Sequence, residues 1–201
     1  MFTGIIRELG TVARLERANG LLRLSIKAPK TAGKIERLES VAVNGVCLSV
    51  VSLRNQTMTF EVIPESQRLT NLARLQRGSR VNLESSLSLS DRLDGQLLFG
   101  HVDGLGTVVS RLERAGELIL TIRVGAELRR FLVSKGPIAV NGVSLTVGTV
   151  KQNIFTVHLI PETLRQTTLL ELKPGDRVNI ELDYFAKLAA KFLRSRTIAA
   201  R

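Results

Sequence analysis

Length and composition already restrict what this chain can be. It has 201 residues, of which 44% are hydrophobic and 23% charged, so it can form one large or two small globular domains and is not disordered throughout. One cysteine excludes an internal disulfide framework, and two histidines give little support for a zinc site. No apolar run approaches the ~18 residues that span a membrane, and the N-terminus lacks the basic region of a secretory signal. We expect a cytoplasmic protein without a metal.

The net charge of +11 raises the question of a polyanionic partner. Five basic residues and no acidic residue fall in 185–201. A basic surface attracts phosphates, but only 4% of the residues are aromatic, so stacking platforms for bases are scarce. We interpret the charge as a modestly basic surface with a cationic tail, and we expect neither a nucleic acid nor a membrane as a partner.

The two halves of the chain repeat each other. Eight residues from Val43 recur from Val140, 97 residues later, with six identities. Two further blocks, 63–66 and 78–84, recur at the same distance. Three blocks in one order at one spacing indicate a tandem duplication.

Each copy predicts short β-strands. Residues 22–26 and 118–122 are rich in β-type residues, and residues 57–62 and 155–159 alternate polar with apolar side chains. An Asn-Gly pair in each copy, at 44–45 in the first, predicts a tight hairpin turn. Short strands with glycine-containing turns favour a small closed barrel, which leaves no free sheet edge.

Few segments predict helices. Residues 69–75 and 167–172 are expected to form short helices before the last strand of each copy. The Ser-rich connector 85–91 is either a linker or a barrel-closing strand. Residues 185–198 place apolar side chains at helical spacing opposite Lys and Arg, which predicts an amphipathic helix. That helix would cover a barrel end or mediate oligomerisation, and membrane binding is a weaker alternative.

The common catalytic motifs are missing. Gly104-Leu105-Gly106 lacks the third glycine of a dinucleotide loop, and neither a Walker-type loop nor a G-x-S-x-G elbow occurs. Polar residues inside the repeated blocks either satisfy backbone groups at turns or line a pocket, present twice, that binds a heterocycle by hydrogen bonds. These residues are Asn44, Cys47, Ser49, Ser66 and Thr70 in one copy and Asn141, Ser144, Thr146, Thr163 and Thr167 in the other.

The two copies also differ. Cys47 of the first copy is Ser144 in the second, and a duplicated pocket with unequal polar groups can treat two copies of one ligand differently. Composition alone favours an inert core thiol for Cys47. His101 is either a proton carrier or a structural residue. We interpret His158 as a barrel residue and Asp183 as a helix cap.

Several motifs together resemble riboflavin synthase of the alpha-chain type. The resemblance covers essentially the whole chain, and its specificity comes from the number and order of the motifs. They are Met1–Ile6, Asn44–Ser49, Gly100–Gly104, Gly142–Val147 and His158–Thr163.

The resemblance implies an all-β fold of two tandem, homologous, six-stranded Greek-key β-barrels plus a C-terminal amphipathic helix. Residues 1–96 and 97–184 would be the two lumazine-binding barrels, and residues 185–201 an oligomerisation helix with a basic tail. It also implies a homotrimer assembled through these helices, with lumazine synthase as a further partner to consider. No cofactor or metal is implied.

The implied reaction is a dismutation of two molecules of 6,7-dimethyl-8-ribityllumazine, the last step of riboflavin biosynthesis. One molecule donates a four-carbon unit to the other, giving riboflavin and 5-amino-6-ribitylaminopyrimidinedione. Each barrel would bind one lumazine, with the active site between the N-terminal barrel of one subunit and the C-terminal barrel of another. Duplicated but unequal pockets suit such chemistry, because two identical substrates must be held in opposite roles.

The resemblance also implies the site residues. For the N-terminal pocket they are Phe2, Thr3, Gly4, Ile5, Ile6, Cys47, Leu48, Ser49, Glu61, Val62, Ile63, Pro64, Glu65 and Ser66. For the C-terminal pocket they are His101, Val102, Asp103, Lys135, Ser144, Leu145, Thr146, Leu159, Ile160, Pro161, Glu162, Thr163 and Leu164. The acceptor must lose a proton from its C7 methyl and the donor is electrophilic at C7, so the catalytic candidates are Ser40, Cys47, His101, Ser144, Thr146 and Asp183.

Two positions depart from the family pattern, and two other functional classes stay open. Gln96 stands where a His is common, and Ser66 where a Thr is common. A non-catalytic antenna protein that binds lumazine or flavin shares the duplicated fold, although the segment 2–4 and Cys47 favour the enzyme. A basic nucleic-acid binder would show salt-sensitive binding that depends on the tail.

Overall fold

The computed structural model describes residues 1–114 and 116–199, with side chains described as far as residue 193. Within them, twelve β-strands form two closed, six-stranded antiparallel barrels. The first barrel contains β1 (Glu8–Ala18), β2 (Leu21–Lys27), β3 (Ser40–Val43), β4 (Val46–Arg54), β5 (Thr57–Val62) and β6 (Arg80–Ser85). The second contains β7 (Gly104–Arg114), β8 (Glu117–Arg123), β9 (Pro137–Val140), β10 (Val143–Lys151), β11 (Ile154–Leu159) and β12 (Arg177–Leu182).

The two barrels share one topology. Around the first, the strands follow the circular order β1-β2-β5-β4-β3-β6, and around the second the equivalent order β7-β8-β11-β10-β9-β12. The pairing of β2 with β5 and of β3 with β6 joins strands that are not consecutive, as a Greek key does. The predicted all-β fold of two homologous six-stranded barrels is therefore confirmed.

The described helices are α1 (Pro29–Ala32), α2 (Pro64–Leu69), α3 (Pro161–Gln166) and α4 (Tyr184–Ala199). Helices α2 and α3 begin at the repeated Pro-Glu pair, because proline suits the first turn of a helix. A 3₁₀ turn follows each of them, at Asn71–Arg74 and at Thr168–Glu171. The short helices predicted for 69–75 and 167–172 correspond to these 3₁₀ turns, whereas α2 and α3 before them were not predicted.

The C-terminal helix and the connector are also settled by the structure. Helix α4 confirms the predicted amphipathic helix. Residues 86–97 contain no strand, so the Ser-rich connector is a linker and not a barrel-closing strand. None of the helices in the described part of the chain is both long and apolar enough to cross a membrane.

Each barrel encloses its own apolar core. In β2 the side chains of Leu22, Leu24 and Ile26 are buried and Arg23 faces solvent, because successive residues of a strand point to opposite faces. Strand β8 repeats this pattern in the second barrel. The outer faces of the strands are thus left for polar side chains.

The two Asn-Gly turns meet at the junction between the barrels. Asn44 and Gly45 have φ angles of +46° and +79°, and Asn141 and Gly142 have +48° and +77°, which is the geometry of a two-residue type I′ hairpin turn. A Cβ on Gly45 would lie 2.7 Å from the Gly142 nitrogen, and a Cβ on Gly142 would lie 2.6 Å from the Gly45 nitrogen. The barrels therefore touch backbone to backbone, which only glycine permits.

Buried asparagines cross the same junction. Asn82 Nδ2 donates to the Asn141 carbonyl at 2.9 Å, and Asn82 Oδ1 accepts from the Thr168 amide at 2.8 Å. In the reverse direction, Asn179 Nδ2 donates to the Asn44 carbonyl at 2.8 Å. These bonds pair backbone groups that burial would otherwise leave without partners. Because equivalent bonds run in both directions, the junction has approximate two-fold symmetry.

The segments that precede the two barrels cross over to the opposite barrel. The Ser144 amide of the second barrel donates to the Gly4 carbonyl at 2.9 Å, and the Cys47 amide of the first barrel donates to the Gly100 carbonyl at 3.0 Å. Both glycines are required, since a Cβ at either position would lie 2.6 Å from the Cβ of its partner. Each barrel therefore completes the outer face of the other.

The two crossing segments also pair with each other. Phe2 of the first segment and Leu98 of the second form a β-bridge of two backbone hydrogen bonds, 2.8 and 3.0 Å long. Beyond this bridge, Ile6 packs against the core of the second barrel and Val102 against the core of the first.

Two buried carboxylates hold the crossing segments. Glu84 accepts hydrogen bonds from the Thr3 amide and hydroxyl at 2.7 Å and from the Gly4 amide at 2.9 Å. Glu181 accepts from the amides of residues 99–100 at 2.8 and 3.2 Å. Burial raises the pKa of both carboxyls above the ordinary 4.5, although these hydrogen bonds oppose the shift.

Removal of one junction asparagine should destabilise the whole fold. In Asn82→Ala the Asn141 carbonyl and the Thr168 amide lose their buried partner, at about 1–3 kcal/mol each. We expect the free energy of unfolding, measured in urea, to fall by about 2–6 kcal/mol. The exposed Gln76→Ala serves as the control, and an equal effect of the two substitutions would contradict the role of the junction.

The buried Glu84 should leave a signature in the pH dependence of stability. Because its pKa is raised in the folded state, its contribution to stability is present below about pH 4.5 and is lost as the pH rises through the raised pKa. In Glu84→Gln the side chain stays neutral, so the free energy of unfolding should fall less between pH 4.5 and neutrality than in the wild type. Urea unfolding over that range tests this, with the exposed Glu65→Gln as a control for the lost charge. Parallel curves for Glu84→Gln and the wild type would refute it.

Candidate functional site

A pocket of 390 Å³ lies on the outer face of the second barrel, within the range of about 300–1,000 Å³ typical of small-molecule sites. It is lined by Gly95, Gln96, Lys135, Pro137, Ser144, Leu145, Thr146, His158, Ile160 and Thr163. The structure thus brings together six residues predicted from the sequence: Lys135, Ser144, Leu145, Thr146, Ile160 and Thr163.

Strand periodicity turns the polar residues of this pocket outward. In β10, Val143 and Val147 are buried, whereas Ser144 and Thr146 line the pocket. His158 of β11 points outward in the same way, between two buried neighbours. Hydroxyls and an imidazole therefore stand on an accessible face.

The first barrel presents an equivalent face on β3, β4 and β5. Cys47 and Ser49 of β4 stand where the second barrel has its two hydroxyls, and Ser40 of β3 lies opposite Ser49 in the strand register. On β5, Glu61 forms a 2.6 Å ion pair with Arg23 of β2. The two faces share a scaffold but differ in charge and in nucleophile.

The crossing segments do not lie against the barrel that follows them in the sequence. We predicted residues 4–6 for the N-terminal pocket and residues 101–102 for the C-terminal pocket. Gly4 and Ile6 contact the second barrel, whereas Gly100 and Val102 contact the first. A sequence repeat groups each segment with the barrel that follows it, whereas packing across the junction decides where the segment lies. The pocket to which each of these residues contributes stays a prediction.

The segment that contains His101 runs past Cys47, because Gly100, the residue before His101, accepts the Cys47 amide hydrogen bond. The imidazole is exposed and stacks on Phe99 with 6.1 Å between ring centroids, and Phe99 contacts the ring of Tyr184 at 5.0 Å. Cys47 itself is half-buried. The structure thus brings the segment that carries His101 to the strand that carries Cys47, a residue of the other copy.

Two predicted carboxylates have structural partners. Asp183 Oδ1 accepts from the Phe185 amide at 3.1 Å, which confirms its interpretation as a helix cap. Asp103 accepts from the Leu182 amide at 2.8 Å and pairs with Lys187 Nζ at 2.9 Å. Both carboxylates therefore fasten α4 to the end of β12.

The other predicted residues lie in the cores or on the short helices. The side chains of Leu48, Val62 and Leu159 are buried inside their barrels, so a ligand would reach these positions through the main chain only. On α2, α3 and the residues before them, Ile63, Pro64, Glu65 and Pro161 are exposed, Ser66 and Leu164 are half-buried, and Glu162 pairs with Arg165.

Sequence reasoning missed part of the pocket lining, namely Gly95, Gln96, Pro137 and His158. The repeat contained a signal for two of them, because the spacing of 97 leads from Ser40 to Pro137 and from Glu61 to His158. It contained none for the linker, which reaches the pocket because the Gln96 amide donates to the Thr3 carbonyl at 3.0 Å. Gln96 Nε2 is buried without a hydrogen-bond partner among the described residues.

The chemistry that these faces offer is that of hydrogen bonding and of side-chain acids, bases and nucleophiles. Across residues 1–114 and 116–199, no group of three or more His, Cys, Asp or Glu is placed to hold a metal ion. The described side chains supply hydroxyls, a thiol, imidazoles and an ammonium group. Such groups suit recognition of a polar heterocycle together with proton transfer.

Comparison with known proteins identifies the repeated unit. Residues 3–86 and 99–183 each match the family model of the lumazine binding domain. The chain is 42% identical over 196 residues to riboflavin synthase of Brucella abortus (strain 2308), covering 95% of this chain and 97% of that protein. It is 37% identical over 193 residues to riboflavin synthase of Bacillus subtilis (strain 168), covering 96% and 90%.

Solved structures agree with the sequence relatives. The crystal structure of LumP complexed with riboflavin has a TM-score of 0.86 at 26% identity, covering 91% of this chain and all of that one. The structure of LumP complexed with 6,7-dimethyl-8-(1'-D-ribityl) lumazine has a TM-score of 0.84 at the same identity and covers 91% and 99%. With two matched domains and relatives similar over nearly their whole length, the chain belongs to the riboflavin synthase family.

Proposed function

We propose that this chain is a transferase that converts two molecules of 6,7-dimethyl-8-ribityllumazine into riboflavin and 5-amino-6-ribitylaminopyrimidinedione. The observation that carries the proposal is the pair of homologous outer faces with unequal polar groups, the thiol of Cys47 on one and the hydroxyl of Ser144 on the other. Two identical substrates would bind to equivalent scaffolds in unequal surroundings. One lumazine can then donate the four-carbon unit and the other accept it.

The second-barrel pocket suits the polar edge of a lumazine. The hydroxyls of Ser144, Thr146 and Thr163 can each donate and accept hydrogen bonds, and Lys135 adds a donor. A pyrimidinedione edge presents carbonyl acceptors and an N–H donor, so this lining complements it. Gln96 supplies an amide whose buried nitrogen is still without a partner.

The first-barrel face carries the reactive groups. The reaction needs a base near the C7 methyl of the acceptor and a nucleophile near C7 of the donor. Cys47 and Ser49 lie on this face with Ser40 opposite Ser49, and His101 directly follows Gly100, which accepts the Cys47 amide hydrogen bond. Much of the rate would come from holding two lumazines in a productive orientation. The thiol, the imidazole and the hydroxyls would assist proton transfer and addition at C7. Asp183, at the start of α4, is a further candidate for such a catalytic residue.

Single substitutions test these roles. Cys47→Ser, His101→Gln and Asp183→Asn are each expected to slow riboflavin formation in a single turnover by at least ~10-fold, since an assisting acid, base or nucleophile is removed. The assay mixes the protein anaerobically with 6,7-dimethyl-8-ribityllumazine, without added cofactor, and follows riboflavin absorbance and fluorescence. The exposed Gln76→Ala is the control, and wild-type rates in all three variants would overturn the site assignment.

The same assay separates the enzyme from the antenna-protein alternative. Two lumazines consumed per riboflavin, above the spontaneous rate and with the pyrimidinedione as co-product, would support the proposed function. The LumP structures show that this fold can hold riboflavin or the lumazine. Lumazine binding without turnover would therefore assign this chain to the non-catalytic class.

We further propose a cytoplasmic homotrimer assembled through α4, with the active site between two subunits. Helix α4 exposes large apolar side chains, with Tyr184 43%, Phe185 64%, Phe192 67% and Leu193 68% accessible. In such an assembly the first-barrel face of one chain would meet the second-barrel pocket of another and bring two bound lumazines together. Lumazine synthase stays a predicted partner, and a complex with it would deliver the substrate.

Substitution of Phe185 tests the assembly. Because a charge on the apolar side of α4 would be desolvated in an interface, Phe185→Glu should shift the protein from trimer toward monomer in sedimentation velocity and reduce riboflavin formation at the same chain concentration. Lys191→Glu, an equally exposed position on the same helix, is the control. A wild-type sedimentation profile for Phe185→Glu would contradict assembly through this face.

A further inference from the structure

We propose that His158 is a ligand-binding residue of the second-barrel pocket and that Glu117 is the positioning residue that fixes its imidazole. His158 lies in the pocket beside Ser144 and Thr146. The identity of the ligand rests on the proposed function, whereas the presence of a histidine-dependent site does not. This pair makes the two binding faces unequal in a second way, apart from the exchange of Cys47 for Ser144.

The geometry fixes the role of each ring nitrogen. His158 Nδ1 lies 2.8 Å from Glu117 Oε2 on the adjacent strand β8, and both side chains are partly exposed, at 48% and 38%. A carboxylate accepts only, so Nδ1 carries the proton and donates it. In the neutral ring Nε2 is then the free acceptor, as the hydrogen bond at one ring nitrogen sets the state of the other.

The backbone below the ring makes room for it. A Cβ on Gly148 would lie 3.2 Å from both Nε2 and Cδ2 of His158, and 2.4 Å from Thr156 Oγ1. The imidazole therefore lies over bare backbone of β10. In the first copy Val51 stands at the position of Gly148, and Glu61 stands at the position of His158. The imidazole and the glycine beneath it occur together in one copy and are both absent from the other.

The charges around this position differ between the copies in a consistent way. Glu117 of the second copy corresponds to Leu21 of the first, and Lys135 corresponds to Leu38. The backbones of Lys135 and Leu38 are equivalent, because each amide donates to a strand carbonyl, that of Val147 or Val50, and the φ angles are +65° and +75°. The second-barrel pocket thus has the ammonium group of Lys135 and, separately, the imidazole of His158, which the Glu117 carboxylate holds. The first has leucines and, at Glu61, a carboxylate held by an arginine.

This arrangement defines what His158 recognises. Because the Nδ1 proton is committed to Glu117, Nε2 is the acceptor that remains for a ligand in the pocket that His158 lines, so its partner on the ligand would be a hydroxyl or an imide N–H. A ribityllumazine carries both groups, and so does riboflavin. Riboflavin is therefore a suitable probe of the site, because it binds without being consumed.

Titration of the full-length protein with riboflavin tests the proposal. The wild type should bind two riboflavin molecules per chain by isothermal titration calorimetry. In His158→Ala one of the two sites should weaken by about 5–10-fold, as expected for one lost hydrogen bond, while the other keeps its affinity. His158→Gln, which retains an acceptor, should recover part of the loss.

The positioning role of Glu117 is tested by a double-mutant cycle. Glu117→Gln should weaken the same site by about 2–5-fold, and the pair Glu117→Gln with His158→Ala should bind no worse than His158→Ala alone, because Glu117 acts through the ring. Glu61→Gln, the matched change on the first barrel, should affect only the other riboflavin site. Additive losses in the double variant would remove the positioning role.

Two outcomes would overturn this proposal, and a third would overturn the proposed function alone. Wild-type affinity at both riboflavin sites of His158→Ala, or equal weakening at both, would refute a role in one pocket. A wild-type chain that binds riboflavin but forms none from lumazine would refute the proposed function and leave this inference intact. Thermal unfolding of His158→Gln and Glu117→Gln checks that these exposed substitutions leave the barrels folded.

Discussion

The close approach of two glycine turns is the contact on which the rest of this molecule depends. Gly45 and Gly142 bring the barrels within backbone contact, and any larger side chain would separate them. That proximity lets Asn82 and Asn179 reach across to backbone groups of the opposite copy. Because these bonds are buried and reciprocal, they fix one relative orientation of the barrels. The crossing segments, with Glu84 and Glu181 beneath them, can lie on the opposite barrel only in that orientation.

Duplication followed by local divergence explains how one scaffold supports two different faces. The strand order, the Asn-Gly turns and the buried pair Asn82 and Asn179 are the same in both copies. The outward positions are free to change, since they do not contribute to either core. Cys47 against Ser144 changes the nucleophile, and Glu61 against His158 changes the charge. A reaction between two identical molecules requires such an asymmetry, which a strictly symmetric pair of pockets would not provide.

Much of the fold and part of the site follow from the sequence. The alternation in residues 57–62 predicted β5, and the Asn-Gly pairs predicted the turns that the structure shows with positive φ. Hydroxyl residues in the repeated blocks predicted a polar lining, and Ser144, Thr146 and Thr163 do line one pocket. The repeat groups residues 4–6 with the first barrel although Gly4 and Ile6 contact the second, because the repeat carries no information about which barrel a preceding segment contacts. The place of Gln96 in the pocket likewise depends on how the linker folds back, which no local pattern records.

The sequence by itself determined the class of fold, the duplication and the chemical types of residue that a site could use, because strand periodicity, turn chemistry and repetition are local properties of a chain. Only the tertiary structure decided that the copies exchange their leading segments, that Gly100 bonds to Cys47, and that His158 is held by Glu117. These are contacts between residues dozens of positions apart. They exist because two closed barrels, each with its own core, are locked together at a junction where backbone meets backbone, and no local pattern records that geometry.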